Sequence, residues 1–144
     1  MPLKLAMRFE SPKKAVIAAM SQMSSSLKPC ACSGANDCLY CVVAHGAILR
    51  IYEKNPRVAD QVAVNYRKAE ITPRQRAMLD FAMKVCLASA EVGEDDFAAL
   101  REHGFSDEDA WDIAAIAAFF GMSNRMANVT SLRPNTEFYA MGRG

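Results

Sequence analysis

Cys38, Cys41 and His45 stand three and four residues apart in the stretch DCLYCVVAHGAILR, residues 37 to 50. On a helix each residue turns the side chain by about 100°, so these offsets place two thiols and an imidazole on one face. Cys38 and Cys41 lie one turn apart, a spacing a disulfide can bridge with modest adjustment. His45 follows one turn beyond Cys41, within reach of its sulfur. The thiolate is the reactive form, and both a helix N-terminus and a neighbouring base favour it. A nucleophilic thiol, a resolving thiol and a base are the parts of a thiol peroxidase or a dithiol–disulfide oxidoreductase. The neighbouring imidazole assigns activation to Cys41 and resolution to Cys38, expected to be the more exposed of the two. Asp37 opposes activation, because a carboxylate beside a thiol disfavours its anion.

The same stretch allows a different chemistry. Cys30, Cys32, Cys38 and Cys41 supply enough ligands for a tetrahedral zinc site, although their spacing is unlike paired CxxC knuckles on either side of a longer loop. Cys30 and Cys32 alternate with small residues, as packing positions do. Cys86 sits inside the apolar stripe of its own helix and reads as inert core. His103, just before Gly104, reads as a surface residue at a helix end, and Trp111 as an aromatic helix anchor.

These side chains need elements to hold them, and the chain reads as all helical. Ser11-Pro12 and Thr72-Pro73 each pair a capping residue with proline at the first helical position. Ala77, Leu79, Phe81, Ala82, Val85 and Cys86 form a broad stripe at helical spacing. Ser106 and Asp109 make a capping box ahead of Ala110 to Asn128, a segment apolar on nearly every side. A helix with no wet face needs other helices around it, which points to a subunit interface. Asn36 or Asp37 is expected to cap a helix from Cys38 to about Glu53, after a break at Ser33 to Asn36. Shorter helices are expected over Arg57 to Arg67 and Asp95 to His103, with residues 129–144 an extended tail. Ser24-Ser25-Ser26 interrupts an otherwise helical stretch.

The totals exclude several classes. The 144 residues suit one domain, 1–144, with a real core. Seventeen basic and sixteen acidic side chains give a net charge of +1, and nothing here points to nucleic acid or a lipid surface. No apolar run reaches the roughly 20 residues of a membrane span, and the first residues lack a signal-peptide core. An odd count of five cysteines, four of them between residues 30 and 41, fits a reducing compartment better than a disulfide framework. The expected location is cytoplasmic.

NDCLYCVVAHGAILR also resembles the signature of the AhpD-like, carboxymuconolactone decarboxylase superfamily, in its peroxidase-related branch. The likeness continues through AMLDFAMKVC, DDFAALREHGFSDEDAWDIAAIAAFFGMSNRMAN and NTEFYAMGR, and spans roughly residues 33 to 143. The resemblance implies an all-α, AhpD-like helical bundle that assembles as a dimer, trimer or hexamer through the apolar C-terminal helix. It implies alkylhydroperoxidase-type activity without a bound cofactor or metal, with Cys38, Cys41 and His45 at the matching catalytic positions. An organic hydroperoxide would be the substrate and an external dithiol the reductant. Asn124-Arg125 matches a recurrent Asn-Arg pair, expected to be structural. Relatives carry a glutamate about twelve residues before the first cysteine as a proton-relay partner of the histidine. Here that position is Ser26, and residues 1–32 are atypical, with Pro29 expected to break a helix. Lack of the glutamate implies either that another acid fills the role or that this copy is weakened or inactive. A lactone decarboxylase on the same scaffold ranks last, because that chemistry has no use for a CxxC pair.

Overall fold

Side-chain caps fix where the helices start, and the apolar stripes between them fix how they pack. The structure is a computed structural model that describes residues 27–53 and 55–144. Seven α-helices lie among the described residues: α1 Leu27–Ala35, α2 Leu39–Tyr52, α3 Val58–Asn65, α4 Pro73–Ala88, α5 Glu94–Glu102, α6 Asp107–Val129 and α7 Thr136–Ala140. Short 3-10 turns follow α3 at Tyr66–Lys68 and α4 at Ser89–Glu91. No strand occurs among the described residues.

The expected caps form. Thr72 Oγ1 accepts the Gln75 N–H at 3.1 Å while the Gln75 side chain accepts the Thr72 N–H at 2.8 Å, and Pro73 occupies the first turn. Ser106 and Asp109 make the same reciprocal pair, at 3.1 and 2.9 Å. Each box satisfies amides that have no carbonyl partner within the helix. Gly104, at φ 78°, ends α5 in the left-handed conformation that glycine adopts at little cost.

α1 occupies the middle of the bundle. Leu27 to Ser33 are all buried, and the helix packs against α2, α3, α4 and α6. Its crossing of α3 is close at Gly34, where a Cβ would lie 2.0 Å from the Ala63 carbonyl oxygen. Around it Leu49, Val62, Met78, Leu79, Leu100 and Ala117 form the core. α6 buries one face through Ile113, Ala117, Phe120, Asn124 and Ala127 and leaves the other open.

Four expectations change. Ser33 to Ala35 are the last turn of α1, and the break narrows to Asn36-Asp37, with Asp37 at φ 50°. Pro29 lies inside the described helix and does not end it. Trp111 is 56% exposed on the open face of α6, so it is not a buried helix anchor. The tail is not extended throughout: Thr136–Ala140 form α7, docked on α2 by buried Arg50. That guanidinium donates to the Phe138 carbonyl at 2.8 Å and the Met141 carbonyl at 2.9 Å. Ser11-Pro12 and the Ser24-Ser25-Ser26 triplet lie outside the described residues.

Candidate active site

Cys38 is the N-cap of α2. Its backbone is extended, at φ −90° and ψ 98°, and its sulfur accepts the Cys41 N–H at 3.3 Å. Neither Asn36 nor Asp37 caps the helix; the thiol does. A sulfur in this place satisfies an amide at the start of the helix that has no carbonyl partner. Cys41 follows one turn in, and both thiols are buried, at 1% and 2% exposure. Cys38 is therefore not the more exposed partner: Ala127 of α6 and the flank of Tyr40 cover the pair together.

Asn124 completes the setting. It is fully buried on α6, donates from Nδ2 to Ser33 Oγ at 3.1 Å and accepts from Asn36 Nδ2 at 3.1 Å. Asn36 Nδ2 also reaches the Cys32 carbonyl at 2.9 Å, and Asn128 Nδ2 donates to the Asn36 carbonyl at 3.0 Å. The α1–α2 turn that presents Cys38 is thus tied to α6 by side-chain amides. Burial pushes the Cys41 thiol up to about 11, the contact with Cys38 adds to this, and a hydrogen bond from Asn124 pulls it back. Desolvation acts against the charged form, and an amide donor acts for it.

His45 lies one turn past Cys41 with its ring edge-on to Phe120, the centroids 4.7 Å apart. Burial lowers it to about 4, so the ring is neutral at pH 7. It makes no hydrogen bond with another described residue, and among the described residues no carboxylate acts on its titration. Ser26, at the position of the expected glutamate, lies outside the described residues.

The remaining thiols face elsewhere. Cys30 donates to the Ala59 carbonyl on α3 at 3.4 Å, and burial pushes it up to about 12. Cys32 meets Cys86 of α4, sulfur to sulfur, at 2.8 Å. The four thiols weighed as a zinc set therefore point in three directions. No group of three or more His, Cys, Asp or Glu side chains among the described residues is placed to hold a metal ion. His103 is exposed at the end of α5, its Nδ1 2.9 Å from the Ala99 carbonyl. A cleft of about 510 Å³ lined by Asp80, Lys84, Asp96 and His103 lies between α4 and α5 and includes neither the CxxC nor His45. Arg125 donates to the Gly121 carbonyl of its own helix, whereas Asn124, expected to be structural, also acts on the Cys41 thiol. Phe120, Asn124 and Ala127, at helical spacing on α6, touch His45, Cys41 and the cysteine pair in turn. One amide inside an apolar stripe was the available signal.

Several solved structures resemble the chain. One, an alkylhydroperoxidase AhpD core described as an uncharacterised peroxidase-related protein, from Ralstonia eutropha, is 64% identical with a TM-score of 0.84. The match covers 91% of this chain and 74% of that one. An uncharacterised peroxidase-related protein from a Silicibacter species is 40% identical with a TM-score of 0.83, covering 90% and 73%. A protein of unknown function from Agrobacterium tumefaciens, provisionally assigned to antioxidant defence as an AhpD, is 25% identical with a TM-score of 0.67, covering 88% and 92%. No protein-family model and no curated protein matches the chain. By identity and fold together, the chain belongs to the AhpD-like, peroxidase-related family. Among its described residues no helix is long and apolar enough to cross a membrane.

Proposed function

We propose that the chain is a thiol-dependent peroxidase that reduces organic hydroperoxides and is itself reduced by an external dithiol. The observation that carries this is the Cys38 sulfur at the N-cap of α2, accepting the Cys41 amide with the Cys41 thiol packed beside it. Cys41, as thiolate, attacks the terminal peroxide oxygen. The O–O bond breaks, an alcohol leaves, and Cys41 becomes a sulfenic acid. Cys38 then attacks that sulfur, water departs and a disulfide closes. The dithiol reductant returns both thiols by exchange. His45 receives the Cys41 proton, assisted by Asn124, which holds the thiolate. No bound cofactor or metal is needed for any step.

A buried, neutral His45 is a weak base, so the site runs slowly at neutral pH, as a weakened member of the family would. The open face of α6 carries Trp111, Phe119, Met122, Met126 and Val129 at helical spacing, which favours a homo-oligomer built on that helix. Cysteines of this kind do their work in a reducing compartment, the cytoplasm.

Consumption of cumene hydroperoxide with dithiothreitol as reductant tests the mechanism. Wild-type protein should turn over and form a Cys38–Cys41 disulfide when the reductant is left out. Cys38→Ser and Cys41→Ser should each reduce turnover to the uncatalysed rate with helix content intact. Turnover retained in both single variants would overturn it.

A further inference from the structure

We propose that Cys32 and Cys86 form a second oxidisable dithiol, independent of the pair on α2, which a hydroperoxide converts into a disulfide joining α1 to α4. Their sulfurs are 2.8 Å apart although the residues are 54 positions apart in sequence. A sub-ångström approach brings them to the roughly 2.05 Å of a disulfide bond. Both helices are already packed against each other, so no element has to travel.

The two thiols differ in the way a nucleophile and its resolving partner differ. Cys32 is wholly buried, whereas Cys86 is partly exposed, so an oxidant meets Cys86 first. Cations stand on both sides: Lys28 acts on Cys32 and Arg125 on Cys86. The hydrogen bond with Cys32 and the charge of Arg125 draw the Cys86 thiol down, while the same contact and burial drive Cys32 up. Cys86 is therefore the sulfur placed to meet the oxidant and Cys32 the partner placed to resolve it.

The chemistry balances within the pair and one hydroperoxide. The Cys86 thiolate attacks the terminal oxygen, the O–O bond breaks, and the alkoxide takes a proton from water to leave as an alcohol. Cys86 is now a sulfenic acid. The Cys32 sulfur attacks it, the S–O bond breaks, and the hydroxide departs with the Cys32 proton as water. Two thiols and one hydroperoxide give one disulfide, one alcohol and one water.

The test removes the α2 pair. A Cys38→Ser/Cys41→Ser variant keeps three of the five cysteines. It is treated with one equivalent of cumene hydroperoxide, denatured in an alkylating agent and mapped. The expected result is a fall from three free thiols to one, Cys30, with Cys32 and Cys86 in one cross-linked peptide. Adding Cys32→Ala should stop Cys86 at the sulfenic acid, which dimedone then labels. Wild-type protein with excess hydroperoxide provides the same readout without any substitution, and the Cys32–Cys86 peptide should appear there too. Three unmodified thiols, a link through Cys30, or overoxidised Cys86 with Cys32 still free would each overturn the proposal.

Discussion

Asn124 reaches Cys41 from the buried stripe of α6 and favours the anion of a thiol that burial pushes up. Cys41 stands at about 11 and His45 at about 4. At about 1.4 kcal/mol per unit, moving the proton between them in the resting protein costs on the order of 10 kcal/mol. In the proposed mechanism the thiolate population therefore limits the rate. Hydroperoxide turnover should rise about tenfold per pH unit from pH 6 to pH 10, and a plateau starting near neutrality would contradict this. The same His45 shift bears on stability. Its pKa is lowered from 6.5 on folding, so the unfolded chain takes up a proton first as pH falls. The stabilisation is complete above about 6.5 and lost as pH drops towards 4, amounting to about 2–3 kcal/mol. Urea midpoints at pH 7 and pH 4.5 should converge in His45→Leu relative to wild type; an unchanged difference would count against it. Cys38, Cys41 and His45 were legible because one helix fixes their spacing locally. Asn124 and the Cys32–Cys86 contact were not, because a stripe predicts that a residue is buried and does not name its partner.

Gly34 shows how an element can be misread at one residue. In sequence Ser33-Gly34 reads as a helix break, since glycine costs about 1 kcal/mol in a helix interior. In the fold that glycine allows α1 to lie against the Ala63 carbonyl of α3. An exposed helical Gly→Ala change stabilises; here steric overlap with backbone outweighs the propensity. Gly34→Ala should lower stability by roughly 2–3 kcal/mol, seen as a lower urea midpoint, and an unchanged or higher midpoint would remove the close crossing from the account. The boxes at Thr72 and Ser106 were readable because capping is a transaction among four consecutive residues. α7 was not: its carbonyls are collected by Arg50, 88 and 91 residues earlier in the chain.

For the molecule as a whole, the all-helical architecture followed from frequent caps and the lack of alternation, while the proposed assembly rests on the open face of α6. Met122 and Met126 are each 58% exposed in the single chain. If that face joins subunits, Met122→Glu/Met126→Glu should shift the sedimentation coefficient from oligomer to monomer with helix content unchanged. A wild-type protein that sediments as a monomer would sink the assembly. α1 has a further consequence, for how the chain is made. Its turn is held by bonds from Asn36 and Ser33 to residues 88 to 92 positions later. During synthesis α1 leaves the ribosome long before α6 exists to receive it. Until then the side of α1 that α6 covers stands open to the solvent, and to whatever chaperone or oxidant arrives first.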